Sequence, residues 1–348
     1  MQVQAEDEGQ GTVAAPPPVE TAPAVEAGFA AFLAQLRARA LAEGVSARTL
    51  DAVLPTLSFN PRVVELDRSQ PGGNPASTAP AARIPAFAPY RARHVDSARI
   101  TRGQARYQAL TPILKRIEAE TGVPAPVIVA IWGHETNYGS YTGGFDLPRS
   151  LASLAYEGRR RELFTAELIA TLKLIDRGVP RERIKGSWAG ATGHPQFLPS
   201  VYLRVARDGD GDGRADIWGS EADALASIAA YFVDAGWRRG RPWGVPASAP
   251  PFLDRQAIAG RLEPPRCPRV HDRHSRWLTV AEWRARGVVQ TGGPALADDE
   301  LASLIEPDGP GAPAYLLTGN YRVILDYNCS NFYALSVGLL ADAVAPAS

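Results

Sequence analysis

The amino-acid sequence predicts a mainly α-helical protein with a small antiparallel β domain, an α+β fold. The chain has 348 residues, of which 45% are hydrophobic, so it can bury a large core and form two or three domains. Up to about residue 244, apolar residues recur at the helical spacing i, i+3, i+4. From about 245 to 320, short segments alternate with proline and glycine, which is typical of short strands and turns.

The N-terminal quarter is predicted to contain a lead-in and a helical flanking domain. Residues 1–26 are rich in alanine, proline, glutamate and threonine, which predicts a disordered segment. Residues 27–100 are predicted to form the flanking domain, and 69–89, dense in proline and glycine, to form an irregular connection within it. The apolar helix face near its start consists of Phe29, Phe32, Leu33, Leu36 and Leu41.

The remaining three quarters are predicted to contain the functional core and the β domain. Residues 101–244 are predicted to be mostly helical, with the motifs described below in their loops and helix ends. Residues 245–325 are predicted to form the β domain, with strands at 278–280 and 321–325. The segment 326–348 is predicted to contain a final helix that returns to the core or to the flanking domain.

Charge and hydropathy exclude several classes of protein. Lysines plus arginines number 37, as do aspartates plus glutamates, so no basic surplus favours nucleic acid as a partner. No apolar stretch approaches the roughly 18 residues that cross a bilayer, so no transmembrane segment is expected. Residues 1–8 lack the features of a signal peptide, which indicates either a cytoplasmic protein or one whose signal was removed.

The sequence contains two cysteines, Cys267 and Cys329, and does not show whether they form a disulfide. They can form a disulfide in an oxidising compartment, but two cysteines alone do not establish one. Two unpaired buried thiols are also compatible with the sequence.

The most informative side chain is Glu135, at the end of an apolar helix. That helix contains residues 126–132, with Pro124 and Pro126 suited to its first turn and Gly139 to its end. Burial and the negative end of the helix dipole both disfavour a charged carboxylate, so the pKa of Glu135 is expected to be raised. A carboxylic acid near neutrality can protonate the leaving oxygen of a glycosidic bond. The alternative is a buried glutamate paired with a backbone amide or an arginine.

A run of alternating aspartates predicts a calcium loop. Asp208, Asp210 and Asp212, followed by Gly213, match the first half of an EF-hand loop, and Arg214 would contribute its backbone carbonyl. Position twelve of the pattern is a glycine rather than the usual glutamate, so Asp223 or Glu221 is expected to supply the last ligand, with Asp223 favoured. The alternative is a solvated aspartate-glycine turn.

Three further motifs carry less specific signals. The glycine-rich segment 185–200 contains Ser187 and Gln196, whose side chains can form hydrogen bonds with a ligand. The segment 327–333 combines aromatic and amide side chains, which suit sugar rings and equally suit a helix cap. The three arginines at 159–161 are compatible with a solvated helix start or with the binding of carboxylates.

In combination and order, these motifs resemble the lytic murein transglycosylase B family. The matching residues are Ala130–Gly139, Lys185–Ser200, Asp208–Gly213 and Tyr327–Ser330. The resemblance implies a goose-type lysozyme-like helical core, with the helical and β domains beside it, and one catalytic acid and base, Glu135. The residues that it implies along the glycan groove are Ser187, Gln196, Tyr231, Tyr327, Asn328, Tyr333 and Tyr90.

The resemblance also implies the remaining site residues, the partners and the location. Arg159 and Arg160 match positions near the peptide stem, and the calcium ligands would be Asp208, Asp210, Asp212, Arg214 and Asp223. The substrate would be the glycan strand of peptidoglycan, cleaved by a monomer in the periplasm or at the outer membrane. Proteins of cell-wall synthesis or envelope assembly are the partners compatible with that role. Thr192, where the family usually has methionine, departs from the pattern, as do the His194-Pro195 pair and Gly219.

The resemblance implies cleavage of the β-1,4 bond between N-acetylmuramic acid and N-acetylglucosamine, with a 1,6-anhydro ring on the product. Two alternatives remain at this point. One is a hydrolytic muramidase on the same fold, which would add water to the cleaved bond. The other is a protein that binds peptidoglycan without cleaving it.

Overall fold

The computed structural model describes residues 22–70, 86–260 and 266–346. Seven helices precede the first strand within these ranges. They are α1 (Ala22–Ala42), α2 (Ala47–Val53), α3 (Pro61–Arg68), α4 (Phe87–His94), α5 (Ser97–Ala109), α6 (Thr111–Thr121) and α7 (Ala125–Thr136). A short 3-10 helix, Leu54–Thr56, follows α2.

The middle of the chain adds four helices and a two-stranded ribbon. These elements are β1 (Phe145–Asp146), α8 (Leu147–Glu157), α9 (Arg161–Asp176), a 3-10 helix (Arg181–Arg183), β2 (Lys185–Gly186), α10 (Pro199–Val205) and α11 (Glu221–Asp234). β1 pairs with β2 in an antiparallel arrangement, with Phe145 opposite Gly186. The ribbon therefore joins the start of α8 to the glycine-rich loop.

The last third contains the β domain and two terminal helices. Its elements are β3 (Gly244–Ser248), α12 (Pro268–His271), β4 (Leu278–Thr279), α13 (Val280–Ala285), β5 (Val289–Gln290), β6 (Leu301–Ile305), β7 (Ala314–Leu317), α14 (Gly319–Tyr327) and α15 (Asn331–Val344). The strands form one antiparallel sheet in the order β4-β6-β7-β3-β5. The predicted fold class, mainly α with a small antiparallel β domain, is confirmed.

Local chemistry explains where several helices begin and end. Asn60 accepts a hydrogen bond from the backbone N–H of Arg62 at the start of α3, and Ser330 does the same for Tyr333 at the start of α15. Thr279 and Glu282 form a reciprocal capping box on α13. These caps satisfy backbone donors that the first turn of a helix leaves without partners.

Three hydrophobic clusters divide the described chain differently from the predicted domain boundaries. The first surrounds α7 and contains side chains of α4, α6, α11, α14 and α15. The second joins α1, α2 and α3 to α8 and α9, which lie within the predicted core 101–244. The third lies in the β domain. Sequence periodicity shows which face of a helix is apolar but not which distant helix it contacts, so the packing of α8 and α9 against α1, α2 and α3 was not predicted.

Four local predictions differ from the structure. Residues 22–26 belong to α1, because alanine and glutamate favour helix and Pro23 is compatible with a first turn. The connection predicted over 69–89 lies largely outside the described residues, and its last three residues begin α4. The strand predicted at 321–325 is part of α14, because Thr318 caps a helix there. Of the strand predicted at 278–280, Leu278 and Thr279 form β4, and Val280 begins α13.

A disulfide joins Cys267 to Cys329, with 5.2 Å between their Cα atoms. It connects the segment that leads into α12 to the short turn between α14 and α15. The alternative of two unpaired thiols is therefore wrong for this structure. No helix in the described ranges combines the length and apolar character that a bilayer crossing requires.

Candidate active site

Helix α7 places Glu135 at the edge of the first hydrophobic cluster. Its residues from Val127 to Gly133 are buried, as the apolar sequence predicts. The helix ends at Thr136 rather than at the predicted Gly139, because Asn137 already adopts left-handed backbone angles and caps it. Glu135 lies in the last turn; the residue as a whole is half-buried, and its carboxyl group lies in a buried environment.

The hydroxyl group of Tyr333 is the direct partner of Glu135. Tyr333 donates a hydrogen bond of 2.5 Å to Glu135 Oε1, across 198 residues of sequence. Burial raises the pKa of Glu135 to about 7, and the hydrogen bond from Tyr333 opposes part of that rise. A carboxyl group with this pKa is protonated in a large fraction of molecules at neutral pH, as the sequence predicts.

Two more predicted groove residues, Tyr327 and Tyr231, lie beside this pair as an aromatic wall. Their ring centroids are 4.7 Å apart and the rings meet edge to face. The hydroxyl group of Tyr327 donates to the carbonyl of Pro195 at 2.6 Å, and that of Tyr231 donates to the carbonyl of Asp326 at 2.7 Å. Both hydroxyl groups are therefore bound to backbone carbonyls, and Tyr231 as a whole is buried.

The glycine-rich loop presents Ser187 and Gln196. The Nε2 group of Gln196 donates to the carbonyls of Thr142 at 3.0 Å and Gly193 at 2.9 Å. With both amide protons used, its Oε1 is left to accept a hydrogen bond. The Oγ of Ser187 accepts from the backbone N–H of Ala191 at 3.0 Å, which leaves the hydroxyl proton to donate.

The loop departs from the family pattern at Thr192, and the structure shows how threonine fits there. Thr192 is fully buried, and its hydroxyl group donates to the carbonyl of Lys185 at 2.7 Å. The hydroxyl oxygen of Thr192 in turn accepts a hydrogen bond of 2.7 Å from the indole N–H of Trp218. Threonine therefore fixes the base of the loop through polar contacts, and it does not reach the groove.

Tyr90 packs against other aromatic rings, whereas Asn328 is exposed to solvent. The ring of Tyr90, on α4, stacks on His94 at a centroid distance of 3.9 Å and contacts Phe332. Burial raises its pKa, and the nearby Glu135 adds to the rise. Asn328 is exposed in the turn between α14 and α15, two residues after Asp326. Tyr90 is therefore close enough to Glu135 to affect its charge balance, whereas no described contact joins Asn328 to Glu135, and its place in the groove stays a prediction.

Arg159 and Arg160 have a partner that the sequence analysis missed, the buried Asp67 of α3. Arg159 Nε donates to Asp67 Oδ2 at 2.7 Å, and Arg160 donates to Asp67 Oδ1. Asp67 is 1% exposed, so the two guanidinium groups neutralise a charge inside the second hydrophobic cluster. The structure thus gives this pair a role in packing, and no described contact joins it to Glu135. Three adjacent arginines were the available signal, since a cluster of positive charge needs a counterion.

The aspartate loop brings Asp208, Asp210 and Asp212 together. One carboxylate oxygen from each lies within 4.8 Å of the others, and all three residues are exposed. Backbone N–H groups of Gly213 and Gly211 lower the pKa of Asp208 and keep it ionised. Three hard oxygen donors in this arrangement fit a calcium ion.

Asp223, the favoured last calcium ligand, accepts hydrogen bonds from the backbone of the aspartate loop. It is buried, and its Oδ1 accepts from the backbone N–H of Gly209 at 2.7 Å while its Oδ2 accepts from that of Asp216 at 2.6 Å. It therefore holds the backbone of the loop from inside and is outside the cluster of three carboxylates. Its predicted role as the last calcium ligand stays a prediction.

A cavity of about 640 Å³ lies beside this loop, and Glu135 is not part of its lining. Its walls come from α6, α10 and α11, including Arg116 and Val233. The candidate active site is therefore Glu135 and not the cavity, because burial raises the pKa of its carboxyl group and Tyr333 is hydrogen-bonded to it.

Comparison with known proteins identifies the family. The sequence profile described as "Transglycosylase SLT domain" matches residues 28–342. The membrane-bound lytic murein transglycosylase B of Escherichia coli (strain K12) is 31% identical over 260 residues. That alignment covers 74% of this chain and 66% of the E. coli protein, slightly less than two thirds of its length.

Solved structures agree in fold over nearly the whole chain. SltB3 from Pseudomonas aeruginosa in complex with NAG-anhNAM-pentapeptide is 41% identical with a TM-score of 0.78, over 91% of this chain and 79% of that one. The E. coli lytic transglycosylase Slt35 in complex with calcium is 27% identical with a TM-score of 0.71, over 92% and 93%. These neighbours bear out the lysozyme-like fold. The chain belongs to the transglycosylase SLT domain family, and its resemblance to the lytic murein transglycosylases of type B is confirmed.

Proposed function

We propose that this protein is a peptidoglycan lytic transglycosylase with Glu135 as its catalytic acid and base. The observation that carries the proposal is the carboxyl group of the half-buried Glu135, whose pKa burial raises to about 7 and which accepts a hydrogen bond from Tyr333. The substrate class follows from relatives named as lytic murein transglycosylases and from the NAG-anhNAM-pentapeptide bound to SltB3.

In the first step Glu135 acts as a general acid. Its carboxyl proton passes to the glycosidic oxygen between N-acetylmuramic acid and N-acetylglucosamine while the C1–O bond breaks. No second carboxylate contacts Glu135 among the described residues, so the carbonyl oxygen of the substrate's own N-acetyl group stabilises the positive charge at C1. The Tyr333 hydroxyl group then stabilises the new carboxylate through the hydrogen bond that it already donates.

In the second step the ionised Glu135 acts as a general base. It takes the proton from the C6 hydroxyl group of the muramyl residue, and that oxygen bonds to C1. The product carries a 1,6-anhydro ring, the acid is regenerated, and no water is consumed. A buried site supports both steps, because it keeps the carboxyl group neutral at the start and excludes competing water.

The surrounding residues would orient the glycan strand. Gln196 Oε1 can accept a hydrogen bond from a sugar hydroxyl or an acetamido N–H, and the Ser187 hydroxyl group can donate one. Tyr231 and Tyr327 provide ring faces and edges for the sugars, and Tyr90 and Asn328 extend the groove towards α4 and the turn before α15. Since the glycan lies outside the cytoplasm, we infer a periplasmic location.

Digestion of purified peptidoglycan sacculi, with the products separated and weighed by mass spectrometry, tests this function. The wild type should release anhydro-muropeptides, and the Glu135→Gln variant should release none while keeping its circular dichroism spectrum. Glu182→Gln, which removes an exposed carboxylate, is the matched control and should retain activity. Normal turnover by Glu135→Gln would refute the assignment of the acid, and products heavier by one water would identify a hydrolytic muramidase.

We also propose that the aspartate loop binds a structural calcium ion. Asp208, Asp210 and Asp212 would contribute carboxylate oxygens and Arg214 its backbone carbonyl, while Asp223 would hold the loop in shape. The relative Slt35 has been solved in complex with calcium, which supports the choice of ion. The loop lies between α10 and α11, so the ion would stabilise the packing of these helices.

Thermal unfolding of the purified protein with and without calcium tests the proposal. An ion that binds only the folded state adds about 2.7 kcal/mol at a concentration of one hundred times its Kd. We expect calcium to raise Tm and magnesium to raise it less, because magnesium dehydrates reluctantly. Asp210→Asn should abolish the rise and Asp299→Asn, an exposed control, should not. A Tm that is insensitive to calcium in the wild type would refute the site.

A further inference from the structure

The loop from Gly139 to Gly144, directly after the helix that carries Glu135, exposes one large aromatic side chain. Tyr141 is 75% exposed. Single exposed aromatic residues are common on protein surfaces, so exposure alone assigns no function. The position of this loop relative to the catalytic residues makes Tyr141 different from a chance exposed side chain.

One side of the loop is fixed to the end of α7. The backbone N–H of Tyr141 donates to the carbonyl of Thr136 at 3.2 Å, and that of Gly139 donates to the Thr136 hydroxyl oxygen at 3.0 Å. Thr136 follows Glu135 directly in the sequence. The backbone of Tyr141 is therefore hydrogen-bonded to the residue that directly follows Glu135.

The other side of the loop is fixed to the glycine-rich loop. The carbonyl of Thr142 accepts the hydrogen bond from Gln196 Nε2. Gly143 packs against the backbone of Gly186 and Ser187 so closely that a Cβ atom there would lie 2.2 Å from the carbonyl carbon of Gly186. Tyr141 is thus held on a bridge between Glu135 and the two groove residues Ser187 and Gln196.

Backbone strain is concentrated in the same place. Asn137, Tyr138 and Gln196 have φ angles of 51°, 61° and 51°, in the left-handed region. They are three of the four non-glycine residues with positive φ in the part of the chain that the structure describes. Such residues cost of order 1–3 kcal/mol each and persist at functional sites, where surrounding contacts impose them. Here the left-handed residues turn the chain sharply after Glu135, at the start of the loop that carries Tyr141.

We propose that the Tyr141 ring is a platform for a pyranose ring of the glycan strand, at a subsite bordered by Ser187 and Gln196. The proposal rests on the proposed function, since it assigns a substrate contact to the same groove. The C–H face of a sugar is apolar and its edge is polar, which matches an aromatic ring with a hydroxyl group at its rim. An exposed ring on a rigid loop can bind such a face without paying for ordering of the backbone.

A binding experiment with the inactive enzyme tests the platform without turnover. The Kd of Glu135→Gln for soluble glycan strands from peptidoglycan is compared with that of Glu135→Gln combined with Tyr141→Ala. We expect the Kd to rise about three- to tenfold, the range of an aromatic stacking contact. Phe252→Ala in the same background is the matched control, because Phe252 is 81% exposed in the β domain. It should leave the Kd unchanged.

Kinetics in the active enzyme separate a platform from a structural role. Tyr141→Ala should raise KM for glycan strands with little change in kcat, whereas a folding defect would lower kcat and Tm together. Tyr141→Phe and Tyr141→Trp should restore KM, because each keeps an aromatic face. An unchanged Kd and KM in Tyr141→Ala would refute the platform, while activity in Glu135→Gln would refute the proposed function instead.

Discussion

At the residue scale, two opposing effects set the acidity of the Glu135 carboxyl group. Burial disfavours the charged form, and the Tyr333 hydroxyl group favours it. The result, a pKa of about 7, leaves the group able both to give a proton and to take one back near neutral pH. The sequence predicts the raised pKa from the apolar helix around Glu135. It does not show that Tyr333 is the direct partner, because a contact across 198 residues depends on how α15 packs against α7.

The raised pKa predicts that Glu135 destabilises the fold at high pH. Below about pH 4.5 the carboxyl group is protonated in both the folded and the unfolded chain, and no penalty arises. As the pH rises towards 7 the unfolded chain releases the proton first, so stability falls, and the full penalty of about 3 kcal/mol is present above that pH. Glu135→Gln should therefore be more stable than the wild type at pH 8 and similar at pH 4.5. Urea unfolding at both pH values measures this, and an equal difference at both would contradict it.

The Tyr333 hydrogen bond predicts a shift in the pH profile of activity. Tyr333→Phe removes the donor that favours the ionised Glu135, so the pKa of Glu135 rises further. The alkaline limb of kcat against pH, which follows the loss of the acid, should move to higher pH, and kcat should fall. Initial rates on solubilised glycan strands across the pH range give both quantities. Tyr327→Phe, whose hydroxyl group bonds to the Pro195 carbonyl, is the control, and an equal shift in both variants would refute the specific role of Tyr333.

At the element scale, the sequence predicts faces well and partners poorly. On the predicted apolar face of α1, Phe29, Leu33 and Leu36 are buried, whereas Leu41 near the end of the helix is exposed. The apolar residues of α7 are buried from Val127 to Gly133. The pairing of α8 and α9 with α1 to α3 could not be predicted, because an apolar stripe does not specify which other stripe covers it. The strand predicted at 321–325 is wrong for a local reason. Its short apolar run fits a strand as well as a short helix, and the cap at Thr318 decides for the helix.

The ion pairs between α3 and the start of α9 predict that replacing the arginines lowers stability more than replacing Asp67. Asp67 is buried, whereas the side chains of Arg159 and Arg160 are 28% and 38% exposed. Replacing both arginines by methionine leaves the buried charge of Asp67 without a partner. This change should lower the free energy of unfolding by about 3–5 kcal/mol. Asp67→Asn should cost less, because the arginines can turn to water.

Urea unfolding of the variants at neutral pH measures the two costs. Arg62→Met combined with Glu65→Met removes a fully surface-exposed ion pair and should change stability little. A larger loss from Asp67→Asn than from the double arginine variant would contradict the assignment of the pair to packing.

At the scale of the whole molecule, a disulfide and a hydrogen bond connect the β domain to the segment that carries Tyr333. Cys267 lies at the edge of the β domain, and Cys329 lies four residues before Tyr333. His274, from the β domain, also reaches this region, since its Nε2 lies 2.7 Å from Asn331 Oδ1 at the start of α15. The β domain therefore supports the segment from which Tyr333 contacts Glu135.

Loss of the disulfide should lower the stability of the whole protein. A bridge that closes a loop of this length, with a separation of 62 residues, contributes about 4 kcal/mol in the chain-entropy description. Replacing both cysteines by serine should lower Tm, and a reducing agent should lower Tm in the wild type to the same level. The double variant is the control for the reducing agent, because its Tm should not respond. A wild-type Tm that ignores reduction would contradict the contribution of the bridge.

The distance in sequence between Glu135 and Tyr333 affects the stage of folding at which the two side chains meet. Closing a flexible loop of 198 residues costs about 5 kcal/mol in chain entropy by itself. Folding therefore has to shorten that loop through nearer contacts before the two side chains can meet. On refolding, helix content should return first and turnover last, so a chain still on its way to the native state carries no working acid that could cut the cell wall.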